Sequence, residues 1–316
     1  MNALLRPIAI DAHPVARKRF RIPTPAIAAF YELLQRVLLL SIPGAIVYAR
    51  TRFGKTSAIV YLQWLLAQER PTLPVLRLRI QHKRAASEIA FFSSLLTMAS
   101  HQASSGRDPT KLRQRLAQRL LEIADANKSP AILFFFDEAQ HLTRTEFEWL
   151  RDVHDELDEA GVNLIMIFVG QPSLQAKKSL FQRDGEEQIV ARFMTEELAF
   201  PGVHSATDCA TCLQGYDNQE YEADSGWTHT RFFFPKAYAA GMRLANEGDA
   251  MWRAFDDEHK RAQLSGALAI PMEYFARAVQ ALLLINAQYD AADFALSAQL
   301  WEQAVTDSGY RRARLK

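Results

Sequence analysis

Gly54-Lys55-Thr56 follows an apolar run that begins at Ala45 and leads into a helical pattern, the shape of a phosphate-binding loop. Such a loop aims backbone N–H groups at the β- and γ-phosphates, bridges them with an ammonium, and offers a hydroxyl to the accompanying Mg²⁺. The expected nucleotide-contacting set is Arg50, Thr51, Arg52, Phe53, Gly54, Lys55, Thr56 and Ser57. The full pattern asks for glycine five residues before Gly54, where this chain has Ala49, so the backbone there must stay out of the left-handed region. About eighty residues downstream, Ala131 to Phe136 is an unbroken apolar run that delivers Asp137-Glu138 at its end. Two adjacent carboxylates at the tip of a buried strand suit two roles. Asp137, with Thr56, holds the Mg²⁺ shell, and Glu138 orients or deprotonates the attacking water. Gln171 follows a further apolar run, Asn163 to Val169, and can sense the γ-phosphate or the water. Pro172 beside it is explained by a helix start alone.

Those residues need a scaffold, and the order of patterns supplies one. Apolar strands alternate with helical segments, which implies parallel strands joined by crossover helices. Helices are expected over residues 26–40, 57–68, 85–103, 111–126 and 143–160, and a strand of alternating apolar residues and arginines over 74–80. From His204 onward the chain reads as helices alone, at 204–213, 235–247, 251–264, 271–287 and 293–307. Trp227 and Phe232-Phe233-Phe234 read as core anchors between them. Cys209 and Cys212 read as buried core; a zinc site completed by His204 and His229 is the lesser alternative.

With 49% hydrophobic and 23% charged residues the chain is expected to fold, and 37 basic against 36 acidic side chains leave a net charge of +1. A polycation that coats nucleic acid unaided is thereby excluded, so any DNA contact must come from a local patch. Lys83, Arg84, Lys111 and Arg113 are the candidates, and contacts to phosphate would be indifferent to sequence. The basic cluster Arg17 to Arg21 is either a solvated face or a further contact. The tail Tyr310 to Lys316 contacts phosphate or a protein, or keeps the terminus soluble. The start is too short to be a secretory signal, no run is long enough to span a membrane, and two cysteines fit a reducing compartment, so a cytoplasmic location is expected.

Taken together, the Gly54-Lys55-Thr56 loop, Asp137-Glu138-Ala-Gln140-His-Leu142 and Val169-Gly-Gln-Pro-Ser-Leu174 resemble the motifs of AAA+ ATPases. Within them, Arg50-Thr-Arg52, Asp-Glu-Ala-Gln-His and Gly-Gln-Pro are most similar to the TnsC/TniB transposition regulators and their ExeA-like relatives. The resemblance covers about Ile22 to Gly202. It implies an α/β P-loop AAA+ domain, a central parallel sheet flanked by helices, followed by an α-helical lid. The expected boundaries are a basic arm over 1–24, the nucleotide-binding domain over 25–202, the lid over 203–309 and a basic tail over 310–316. The resemblance further implies ATP and Mg²⁺, Glu138 and Gln171 as catalytic residues, and Arg192 as an arginine supplied to a neighbouring subunit, with Arg183 its alternative. Arg277 is the lid arginine of that pattern, in an altered context. The implied partners are duplex DNA, a transposase, a target-selection factor and further copies of the chain in a ring or helical filament. The ExeA-like alternative is an ATPase switch acting on protein partners without DNA.

Overall fold

The computed structural model describes residues 6–313. Residues 1–5 of the arm and 314–316 of the basic tail therefore lie outside the described residues. The chain divides into two compact units. One comprises Ala29–Thr51 and Lys55–Phe200, and the other takes the residues up to Ala28, Arg52–Gly54 and everything from Pro201.

The first unit is a five-stranded parallel sheet between helices. In chain order it runs α1 (Pro25–Leu39, which enters this unit at Ala29), β1 (Gly44–Tyr48), α2 (Lys55–Glu69), β2 (Val75–Arg79), α3 (Glu88–Met98), α4 (Pro109–Ala126), β3 (Ala131–Asp137), α5 (Arg144–Glu159), β4 (Asn163–Gly170), α6 (Pro172–Arg183), α7 (Glu187–Phe193) and β5 (Glu196–Ala199). The strand order is β2-β3-β4-β1-β5, every neighbouring pair parallel. The central strands β1, β3 and β4 are buried along almost their whole length, because helices cover both faces. Alternation sorts their side chains: Ile132, Phe134 and Phe136 join the core that α3, α4 and α5 complete. Phe135 points the other way, toward Phe30 of α1, ring centroids 6.0 Å apart. β5 is the strand that the sequence reading lacks. At four residues with alternate exposure, Glu196-Glu197-Leu198-Ala199 carries too weak an apolar pattern to announce an edge strand.

Local chemistry fixes the helix starts. Asp108 caps α4, accepting from the backbone N of Thr110 at 3.0 Å and Lys111 at 3.3 Å, with Pro109 in the first turn. α5 opens on a complete capping box: Glu146 N donates to Thr143 Oγ1 at 3.3 Å and Thr143 N donates to Glu146 Oε2 at 2.9 Å. Helix 85–103 of the sequence reading contracts to Glu88–Met98, since the cap is Ser87 and the backbone turns at Ala99.

The second unit is helical: α8 (Ala206–Asn218), α9 (His229–Phe233), α10 (Pro235–Ala239), α11 (Gly248–Arg261), α12 (Met272–Asn286) and α13 (Ala298–Ser308). Its core gathers Phe232, Phe233 and Phe234, with Trp227 packed at the side, and buries Cys209 and Cys212 on α8. Burial raises both thiols, Cys212 to about 12, so they are inert packing groups. Residues of the described segment 6–24 are a packed part of this core. Val15 and His13 are fully buried, and Gln280 of α12 donates to the carbonyls of Val15 and Ala16 at 2.9 and 3.0 Å. Polar composition hides this role, because a few apolar residues among prolines and arginines carry the contact.

Candidate nucleotide-binding and hydrolysis site

The loop after β1 enters α2 at Lys55, so Gly54, Lys55 and Thr56 straddle a helix N-terminus. There the free backbone N–H groups and helix dipole favour phosphate. Gly54 adopts φ +94°, a conformation natural to glycine. Ala49 is not among the residues with positive φ, so its Cβ causes no strain, and its N–H donates to the carbonyl of Gly170 at 3.2 Å. Lys55 donates to the carbonyls of Ala49 at 2.8 Å and Arg50 at 2.9 Å. Burial lowers its pKa from the ordinary lysine value, opposed by the pull of Glu138 and Asp137. Arg50, Thr51, Thr56 and Ser57 are exposed.

β3 ends in Asp137, buried to 1% exposure, where two donors meet one carboxylate oxygen. Thr56 Oγ1 lies 3.0 Å from Asp137 Oδ2 and the Arg77 guanidinium 2.7 Å from the same atom. A hydroxyl and a buried carboxylate are the hard oxygen donors that Mg²⁺ selects, so Thr56 and Asp137 fit that ion. Arg77 supplies a positive charge on this carboxylate; it sits on β2, one of the arginines that alternate with apolar residues there. That alternation was the available signal for it. Glu138 has left-handed backbone, φ 59° and ψ 36°, which turns the chain sharply after the strand. Its carboxylate accepts from Gln140 Nε2 at 2.6 Å, and Gln140 Oε1 accepts from the backbone N of Gln171 at 3.1 Å. Glu138 and Gln171 are thus brought together through Gln140, which sequence reading used only as part of a motif.

Arg192 lies elsewhere in the same unit. It occupies the last turn of α7, ion-paired to Asp155 and donating to His154 Nδ1 at 3.0 Å. Burial, and the neighbouring guanidinium, lower the His154 pKa. The three residues border a cleft of about 660 Å³ that also involves Arg151, Gln188 and Asn163. Asn163 begins β4 and Gln171 follows its end; at about 3.3 Å per residue the strand separates those ends by about 23 Å. Arg183 is exposed and, among the described residues, pairs with the adjacent Asp184 at 3.3 Å.

The DNA candidates fall into two kinds. Lys83 is ion-paired to the fully buried Glu146, and Arg113 to Asp152 at 2.7 Å, so both charges are matched locally. Arg84 and Lys111 are exposed, Lys111 only 3.9 Å from Asp108.

Within the helical unit, Arg52 to Gly54 are held at the start of α12. Glu273 N donates to the Arg52 carbonyl at 3.1 Å, and the Arg52 guanidinium donates to the Tyr274 hydroxyl, lying 5.5 Å from that ring's centre. Arg277 pairs with Glu273. Phe53 packs against Gly202, where an added Cβ would come within 2.8 Å of its ring. Among the described residues no three His, Cys, Asp or Glu side chains form a metal-holding group, and no helix is long and apolar enough to cross a membrane.

Residues 44–177 match the family described as AAA domain. Among solved structures, the chain is similar to the Aeropyrum pernix ORC2 protein in its ADPNP-ADP complexes, at 15% identity and TM-score 0.58, over 93% of this chain and 71% of that one. The ADP form of that protein gives 16% identity and TM-score 0.57, over 96% and 75%. The Aeropyrum pernix ORC1 protein in complex with DNA gives 12% identity and TM-score 0.52, over 92% and 68%. No curated protein matches the chain. The fold is therefore that of the AAA+ P-loop ATPases, and the domain match supports ATPase activity.

Proposed function

We propose that the chain is an ATP-hydrolysing regulator of DNA transposition, which assembles head-to-tail on duplex DNA and links a target-selection factor to a transposase. The single observation that carries the assembly is the distance between Arg192 and the hydrolytic residues. The arginine borders a cleft at the start of β4, whereas Glu138 and Gln171 cluster at its far end. An arginine about a strand's length from its own chain's base is out of reach of its own phosphate, which supports service to a neighbour's. Repetition of that contact builds a ring or an open filament, according to whether the rotation closes. DNA binding is supported by the exposed Arg84 and Lys111, and the transposition setting by the resemblance of the three motifs to TnsC/TniB regulators.

In this reading Lys55 and the free N–H groups of the α2 start bind and orient the β- and γ-phosphates. Thr56 and Asp137 would hold Mg²⁺, which would supply charge neutralisation. Glu138 holds the attacking water and takes its proton, and Gln171 reports the γ-phosphate. Arg192 of a neighbouring copy leaves Asp155 to stabilise charge on the transferred group, which ties turnover to assembly.

Negative-stain electron microscopy tests the proposal, with a slowly hydrolysed ATP analogue, with and without a random-sequence duplex, and with ADP as control. Rings or filaments that need both analogue and duplex support it. Discrete particles indifferent to DNA contradict it and favour the protein-directed switch.

A further inference from the structure

We propose that Gln140 is a positioning residue that couples the γ-phosphate sensor Gln171 to the hydrolytic base Glu138, an inference that rests on the ATPase reading above. Gln140 lies in the single helical turn Ala139–His141 that follows β3. Its amide spans the two residues, donating from Nε2 to Glu138 Oε2 at 2.6 Å and accepting at Oε1 from Gln171 N at 3.1 Å. The orientation is forced, because a backbone N–H only donates and an ionised carboxylate only accepts. Reversal of the amide would break both bonds.

Three further contacts make this link stiff. Lys177 of α6 donates to the carbonyls of Gln140, at 3.0 Å, and of Leu142, fixing the turn from behind. Gly170, just before the sensor, leaves no spare room: a Cβ there would lie 2.6 Å from Gln140 Oε1 and 3.2 Å from Gln140 N. Glu138 itself sits in left-handed backbone, so its side-chain direction depends on such tethers. A shift of the Gln171 backbone on phosphate arrival consequently reaches the base through one amide. Donation of that amide to one oxygen of Glu138 leaves the other for water.

The test uses the full-length protein with duplex DNA, ATP turnover, and equilibrium binding of a fluorescent ATP analogue. Gln140→Glu keeps the shape and the acceptor facing Gln171 but sets a carboxylate against Glu138. Its kcat should fall by at least about tenfold, the loss expected when a base is mispositioned, with KM and analogue affinity within about twofold of wild type. Gln140→Met, which lacks the amide but adds no charge, should show the same split and guards against misfolding of the first variant. Combined with Glu138→Ala, which removes the side chain at the other end of the amide, either substitution should cost little more than Glu138→Ala alone, since no base is then left to position. Wild-type kcat in Gln140→Glu, or strictly additive losses, overturns the coupling. A wild-type protein that neither binds nor hydrolyses ATP overturns the ATPase reading itself, before any variant is made.

Discussion

Four charged residues assigned to chemistry are held by partners from their own chain: Lys55 by two loop carbonyls, Asp137 by Arg77, Glu138 by Gln140 and Arg192 by Asp155. Such pairings keep buried charge satisfied and must be exchanged for ligand contacts during turnover. Lys55→Ala should therefore abolish ATP binding in a filter or fluorescence assay. Glu138→Gln should bind normally and accumulate the ATP-bound assembly, and equal loss of binding in both variants would contradict the separate roles. Gly54-Lys55-Thr56 and Asp137-Glu138 were legible in the sequence because their residue types are tied to a turn and to a strand end. Arg77, Gln140 and Asp155 were not, because their significance depends on which side chain they meet across the fold, and spacing along the chain does not record that.

Among the elements, α5 carries two buried polar side chains, Glu146 and His154. Glu146 is fully buried, completes the capping box with Thr143, and is paired with Lys83. Removing the cap by Thr143→Ala should lower unfolding free energy by about 1 kcal/mol, measured by urea denaturation. Lys83→Met should cost more, about 3 kcal/mol, because it strands an ionised carboxylate in the interior. The reverse order of the two losses would show that Lys83 is solvated and available for phosphate. The long strands and helices of the sheet unit were readable from unbroken apolar runs and from helical periodicity. β5 escaped because four residues at an edge show little pattern, and the packed segment around His13 and Val15 escaped because its few buried residues are embedded in charge.

For the whole molecule, two buried histidines set a pH dependence. Burial holds His13 down to about 3, with His229 adding to the shift, and burial holds His229 down to about 4. Both are neutral in the fold, whereas unfolded histidine takes up a proton near pH 6.5. As pH falls from about 6.5 toward 4, the unfolded chain binds more protons than the native one, and stability must fall with it. The urea midpoint should drop over that interval, and His229→Gln should flatten the slope; an unchanged slope would show that His229 is protonated in the fold. At the scale of assembly, the sequence made the AAA+ fold readable through its motifs, while Arg192's place at the far end of β4 from the hydrolytic residues emerges only from the folded unit. The measurement that bears most directly on the account is ATP turnover per chain as a function of protein concentration, with duplex DNA present, for wild type and Arg192→Ala. An arginine supplied by a neighbour predicts turnover per chain that rises steeply with concentration, and a variant that binds nucleotide normally yet stays at least about tenfold slower on the plateau. Turnover per chain that is constant on dilution, or an Arg192→Ala protein as fast as wild type, would contradict it.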